Sequence, residues 1–169
     1  MDFYEVIHTR RSRRSYRPDP VPEDSLKRIA DAVAHAPSAC NRQPVKVLIV
    51  RNAELREKIC SIYGRAFLKE APVIAVVLGN ESEAWIRPEG DSIVPVDAAI
   101  VMEHLVLAAT AEGLGSCWIC AFRRAELDRV LKLEGTPWKS VAMTPHGYSD
   151  AECKTNASKN INELFEVID

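Results

Sequence analysis

Apolar side chains recur at helical spacing in some stretches of the chain and run almost unbroken in shorter ones. Phe3, Val6 and Ile7 put a stripe on a short first helix; Asp2 caps it, and Glu5 completes a capping box. Pro22 suits the first position of a second helix, where Glu23 and Asp24 complement the dipole. Leu26, Ile29, Ala30 and Val33 then repeat at helical spacing up to Pro37. Ser38 to Pro44 reads as a loop and Val45 to Val50 as a buried strand. Asn52 caps a helix carrying Leu55, Ile59, Ile62 and Tyr63. Pro72 introduces a second buried strand, Val73 to Leu78, which is short and rich in β-branched residues. Asn80 to Pro95 is polar and holds Gly90 and Trp85, so it reads as a long loop with room for one short helix.

The stretch from Asp97 to Gly113 is a helix of unusual composition. Its polar side chains are Asp97, Glu103, His104, Thr110 and Glu112, and most of them fall on one narrow stripe. A helix apolar over most of its circumference needs cover nearly all round, and a partner subunit can supply it. Gly113-Leu114-Gly115 ends this helix with the usual left-handed cap residue. A strand over Ser116 to Ile119, a helix over Arg124 to Leu133, a strand over Ser140 to Thr144 and a final short segment over Ile161 to Ile168 follow. Strict strand–helix alternation is absent, so the class is α+β.

Composition narrows the field without naming a function. The chain has 169 residues, a length that suits one domain. With 47% apolar and 27% charged residues it carries enough apolar material for a core. Lys and Arg total 22 against 24 Asp and Glu, a net charge of −2. No global basic field gathers nucleic acid or an anionic membrane, so any anion site is local. The start of the chain lacks a signal-peptide pattern. The five cysteines, Cys40, Cys60, Cys117, Cys120 and Cys153, are odd in number. Together these features predict a cytoplasmic protein with reduced thiols. In that compartment the sequons at Asn80 and Asn156 are silent.

Neither a dinucleotide fingerprint nor a P-loop is present, and the four histidines show no metal spacing. Three stretches stand out. Arg10-Arg11-Ser12-Arg13-Arg14-Ser15-Tyr16 packs four arginines into five positions after a helix. Guanidinium forks and serine hydroxyls suit a phosphate; a solvated turn satisfying the helix's last carbonyls is the plainer alternative. Ala36-Pro37-Ser38-Ala39-Cys40-Asn41-Arg42-Gln43-Pro44 offers small residues and two amides to a planar polar ligand, or merely stiffens a connection. Cys117-Trp118-Ile119-Cys120 is either a redox pair or two buried residues of a strand. Trp85 and Arg87 are candidates to line a substrate pocket.

In this order the arginine-serine cluster, Pro37-Ser38 with Asn41-x-Gln43-Pro44, Asp97 opening the apolar helix, Gly113 to Ile119, and His146-Gly147-Tyr148 resemble the FMN-dependent nitroreductase family. The resemblance implies a central mixed, mainly antiparallel sheet surrounded by helices, one FMN-binding domain over residues 1–169, and an intertwined homodimer. It implies two FMN molecules held between subunits, with NADH or NADPH as electron donor. The second substrate would be a small organic acceptor such as a quinone or nitroaromatic. By the same resemblance Arg10, Arg11, Ser12 and Arg14 hold the phosphate, ribityl chain and pyrimidine edge. Pro37, Ser38 and Ala39 come from the other subunit with Asn41 close by, and the backbone of Ile119, Cys120 and Ala121 meets the ring near N5. No protein group need act as nucleophile or base, because the hydride chemistry belongs to the flavin.

The chain departs from the family pattern at Val45, Cys120, Ser149 and Ser158, where an aromatic, glycine, proline and arginine are usual. Lys159, beside Ser158, is then the candidate for the last phosphate contact. Two other readings remain: a flavin carrier or sensor without NAD(P)H turnover, and a thiol–disulfide protein using Cys117 and Cys120.

Overall fold

The most apolar strand forms the centre of a four-stranded sheet. In the computed structural model, which describes residues 1–152 and 158–168, the strands are β1 (Val45–Val50), β2 (Val73–Asn80), β3 (Gly115–Ser116) and β4 (Trp138–Gly147). Their order is β1-β2-β4-β3, and every neighbouring pair is antiparallel. The mixed character expected of the sheet reduces to one parallel bridge, between Ser12 and Ser116.

All eight residues of β2 are buried, and its side chains alternate between two cores. Val73, Ala75 and Val77 face a layer formed by α2 (Glu23–Ala34) and α5 (Val94–Ala111). Ile74, Val76 and Leu78 face the opposite layer, which holds Ile59 of α3 (Ala53–Tyr63), Leu68 of α4 (Phe67–Glu70) and Leu127 of α6 (Arg124–Val130). α1 (Phe3–Thr9) begins with the Asp2–Glu5 capping box, and α7 (Ile161–Leu164) is exposed throughout.

Several boundaries differ from the sequence reading, each for a local reason. β1 is an edge strand rather than a buried one: it pairs with β2 alone, and Ile49 is 41% exposed. Pro22 stands one position earlier than expected, as N-cap of α2. α5 starts at Val94, because Pro95 is tolerated in the first turn, so Asp97 lies inside the helix rather than opening it. β4 extends at both ends of the predicted span, since its Trp138–Lys139 and Pro145–Gly147 flanks find partners on β2 and β3. β3 stops at Ser116, and Ile119 returns to the sheet by a single bridge to Met143. α6 ends at Val130, with Leu133 tucked beyond it into the core. Asn156 and Cys153 lie outside the described residues.

The polar stripe of α5 docks onto α2 and the loop that follows it. The Ala39 N–H donates to Asp97 Oδ1 (2.9 Å), His104 Nδ1 meets the Ala32 carbonyl (2.9 Å), and Arg28 bonds Glu112 (2.6 Å). The Arg28 hydrogen bond holds the Glu112 carboxyl below its ordinary range. This helix is long and apolar enough to cross a membrane, yet it packs on the sheet, with 44% of it buried within the chain. Val96 is 48% exposed, and Ile100 and Leu107 are half-buried. The chain alone therefore leaves much of the apolar circumference without cover.

Candidate functional site

The arginine cluster divides its labour. Arg10 N–H closes α1 on the Val6 carbonyl (2.9 Å). Arg11 reaches back with Nη1 to the carbonyls of His8 (2.7 Å) and Arg10 (2.8 Å), so it does the helix-capping job that an exposed turn would do. Ser12 bridges to Ser116, and Arg13 N–H donates to the Ser116 carbonyl (2.8 Å), adding this segment to the free side of β3. The Arg13 guanidinium bonds the Ala151 carbonyl, and the Tyr16 hydroxyl donates to the Arg13 carbonyl (2.7 Å). This close approach requires Gly115: a Cβ there would stand 2.8 Å from Arg13 Cγ. Arg17 is engaged by Asp19 and Asp150 and lies over the Tyr148 ring.

Arg10 and Arg14 are different. Among the described residues no carboxylate or carbonyl accepts a hydrogen bond from either guanidinium. Arg10 also lines a cavity of about 160 Å³ with Thr9, Arg11, Arg13, Gly115 and Ser149. The Ser149 hydroxyl in that lining and the Ser116 hydroxyl on β3 are buried, each without a partner among the described residues. Uncommitted cations beside unsatisfied buried hydroxyls suit an anionic ligand.

From β3 the chain runs on as an extended segment. Ile119 exchanges two backbone hydrogen bonds with Met143 (both 2.9 Å), and Cys117 N–H donates to Thr144 Oγ1 (3.1 Å). Cys117 and Ile119 are buried, whereas Trp118, Cys120 and Ala121 are exposed. Alternation explains the split: residues three apart on an extended chain point to opposite faces. Cys117 packs in the core and Cys120 lies at the surface, where its Sγ accepts from Trp118 Nε1 (3.2 Å). The two-buried-residues reading therefore holds for Cys117 alone, and the arrangement does not favour a thiol pair.

The loop from Pro37 to Pro44 is strained. Cys40, Asn41 and Gln43 have φ of 49°, 52° and 52°, a left-handed conformation uncommon outside glycine. Such residues cost about 1–3 kcal/mol each and persist only when their surroundings hold them. Here the Asp97 carboxylate grips Ala39, the Ser38 hydroxyl accepts from Gln43 N–H (2.9 Å), and Gln43 Nε2 donates to Asn41 Oδ1 (2.9 Å). Arg42 ties the loop to the Ala84 carbonyl. Beside it Trp85 is half-buried, and Arg87 is exposed on a turn closed by Gly90 N–H.

The two groups of candidate residues occupy opposite corners of the sheet. Pro37, Ser38, Ala39, Asn41, Trp85 and Arg87 lie at the end where Val45 pairs with Gly79. Arg10, Arg11, Ser12 and Arg14 lie beyond the far edge, where Ser116 pairs with His146. Strand spacing and rise put the corners roughly 20 Å apart along the strands and roughly 14 Å across them. Ile119, Cys120 and Ala121 run from the second corner back toward the first, and Lys159 is exposed. Sequence reasoning missed the structural role of Arg13, although its place before the Gly115 contact could not be read without the fold. It also missed Ser140, whose fully buried hydroxyl has no partner among the described residues.

Comparison with known proteins identifies the family. The model of the nitroreductase family matches residues 7–62 and 60–148, and the chain belongs to that family. It is 37% identical over 125 residues to an NADH dehydrogenase/NAD(P)H nitroreductase of Methanothermobacter thermautotrophicus, covering 70% of this chain and 60% of that protein. It is 33% identical over 139 residues to a Bacillus subtilis protein named FMN reductase (NAD(P)H), covering 73% of this chain and 56% of that one. The chain thus spans about 60% or less of the length of these two relatives. Among solved structures, a Clostridium novyi nitroreductase family protein superposes with a TM-score of 0.80 at 33% identity, over 89% of this chain and 87% of that one. An FMN-dependent nitroreductase of Clostridium difficile superposes with a TM-score of 0.83 at 25% identity, over 98% of each chain.

Proposed function

We propose that the 169 residues act as one FMN-binding domain of a cytoplasmic homodimeric oxidoreductase. It takes electrons from NADH or NADPH and passes them to a small organic acceptor such as a quinone or nitroaromatic. The observation that carries this reading is the pair of uncommitted guanidinium groups, Arg10 and Arg14, on the segment whose Ser12 bridges Ser116, with the Ser116 hydroxyl buried and unsatisfied among the described residues. These groups fit a phosphate and an electron-rich ring edge. When bound, FMN supplies the hydride-accepting centre, and the protein supplies binding, orientation and electrostatics.

In this reading Arg10, Ser12 and Arg14 hold the phosphate, ribityl chain and pyrimidine edge. Arg11 has part of its guanidinium committed to carbonyls and contributes its remaining N–H donors. The backbone of Ile119, Cys120 and Ala121 borders the ring, and Lys159 approaches the phosphate. Trp85 and Arg87 line the acceptor pocket.

A second copy completes the site. The distance between the two corners of the sheet separates the Arg10–Arg14 cluster from the Pro37–Asn41 loop of the same chain. The partner subunit's Pro37, Ser38, Ala39 and Asn41 fill that need. The exposed face of α5 at Val96 and the exposed Ile161, Leu164 and Phe165 of the C-terminal segment give the two copies an apolar surface to share.

Purified protein is expected to be yellow. Arg10→Ala and Arg14→Ala are each expected to weaken FMN binding about 10-fold or more, the loss of one charge-assisted hydrogen bond, while leaving the melting temperature near that of the parent. Full flavin occupancy in both variants refutes the assignment. Anaerobic NADH then separates enzyme from carrier: bleaching of the flavin absorbance marks the enzyme, and its persistence marks the carrier.

A further inference from the structure

The Arg10–Arg14 segment is laid on the shortest strand of the sheet. β3 has two residues, and both carry the dock. Ser116 bridges Ser12 and accepts the Arg13 N–H at its carbonyl (2.8 Å), while Gly115 lets the Arg13 side chain pass. On its inner side β3 is held by β4, Gly115 opposite Gly147 and Ser116 opposite His146. Gly147 has no side chain, so His146 is the β4 side chain in register with this ledge. His146 also stands opposite Val73 of β2, which places its ring on the face that carries Val73 and Ala75, toward α5. The buried residues on that face near the end of α5, Leu105, Ala109 and Leu114, are apolar.

The ring is buried, and neither nitrogen has a well-formed partner among the described residues. Titratable groups on the surrounding elements are engaged elsewhere or exposed. Arg13 bonds the Ala151 carbonyl, the Tyr16 hydroxyl donates to the Arg13 carbonyl, and Glu70 accepts from Tyr16 N–H (3.0 Å). Tyr148 lies under Arg17. On α5, Asp97 accepts from Ala39, His104 meets Ala32 and Glu112 meets Arg28, with Glu103 exposed; on α1, Glu5 serves the capping box and His8 is exposed. A proton on this ring is therefore an uncompensated buried charge. Opening the two-residue edge of the sheet is the cheapest way to hydrate it, because few cross-strand bonds are lost.

We propose that His146 is a positioning residue for the arginine cluster: its neutral ring keeps β3 in place as the ledge on which Ser12 and Arg13 dock, and a proton on it frees that ledge, so that acid loosens the grip on flavin before the chain unfolds. The link to flavin rests on the oxidoreductase reading above; the link to the docked segment does not. Burial pushes the pKa of the ring down from 6.5 to about 4, whereas a hydrated ring on the freed edge takes up a proton near pH 6.5. The docked edge therefore keeps its full advantage above about pH 6.5 and loses it as pH falls toward 4. At pH 5 the freed form gains at most about 30-fold on the docked one.

The test dilutes FMN-loaded parent, His146→Leu and His146→Gln into buffer at pH 7.5 and 5.0 and follows release by the fluorescence of free flavin. Circular dichroism checks that each protein stays folded at both values. Protonation of the flavin phosphate, near pH 6, acts alike on all three. Release from the parent is expected to quicken about tenfold more than from either variant on going to pH 5.0. The same acceleration in all three overturns the inference. Amide hydrogen exchange over residues 10–17, corrected for the pH dependence of intrinsic exchange, gives a readout independent of flavin. The Arg13 amide is expected to lose about tenfold in protection at pH 5.0 in the parent and to keep it in the variants. Equal protection of that amide at both pH values in the parent overturns the inference without any variant. Failure of the parent to hold FMN at pH 7.5 refutes the oxidoreductase reading instead, and the exchange measurement still decides the role of His146.

Discussion

His146 sits in β4 opposite Ser116, 1% exposed, and neither ring nitrogen makes a well-formed hydrogen bond among the described residues. Burial pushes its pKa down from 6.5 to about 4; the Gly115 backbone pulls the other way without offsetting it. The imidazole is therefore neutral in the folded protein at neutral pH. In the unfolded chain it takes up a proton near pH 6.5. Between these two values the unfolded state binds more protons, so stability rises with pH. The neutral imidazole's contribution is complete above about pH 6.5 and is lost as pH falls to about 4. At ~1.4 kcal/mol per pH unit the full loss is about 3 kcal/mol. Urea unfolding of the parent and of His146→Leu at fixed protein concentration, from pH 7.5 to 4.5, measures it. Leu fills a similar volume and leaves no unsatisfied nitrogen, so at pH 7.5 the variant is expected within about 1.5 kcal/mol of the parent. Toward pH 4.5 the parent is expected to lose about 2–3 kcal/mol more than the variant. Glu112, whose carboxyl is held low by Arg28, adds its own acid sensitivity at still lower pH, outside this window. Identical pH slopes in the two proteins refute the burial argument.

Asp97→Ala removes the acceptor of the Ala39 N–H and is expected to cost about 1–2 kcal/mol, lowering the melting temperature by about 2–8 °C. Trypsin is expected to cut at the exposed Arg42 faster in that variant, because the strained loop loses its anchor; unchanged cleavage and melting contradict this. Gly115→Ala forces a methyl against Arg13 and is expected to destabilise by about 1–3 kcal/mol and to loosen FMN, read by denaturant unfolding and by the flavin absorbance retained on gel filtration. Sedimentation is expected to show a dimer at micromolar concentration, and a stable folded monomer there contradicts the shared site.

Local chemistry wrote much of this protein into its sequence. The capping box at Asp2 and Glu5, the Asn52 cap and the buried Val73–Leu78 run of β2 follow from side chains acting on their own neighbourhoods; Gly79 and Asn80 join the strand only through their cross-strand partners. The arginine cluster and the small-residue loop were legible as oddities for the same reason. Other features depended on residues far away in the chain. Whether Val45–Val50 was central or edge depended on how many strands flank it, which no local pattern records. Cys117 and Cys120 look equivalent in a motif, and only the extended backbone sends one inward and the other outward. Among four clustered arginines, Arg11 turns back on local carbonyls, while tertiary contacts decided that Arg13 serves the fold and that Arg10 and Arg14 stay uncommitted. The opposite corners occupied by the two candidate segments likewise follow from strand order. Sequence by itself determined most of the elements, α4 excepted, because propensity, capping and periodicity act over a few residues. Tertiary structure decided which charges remain unpaired and which segments cannot meet within one chain, because those depend on distances that only packing sets.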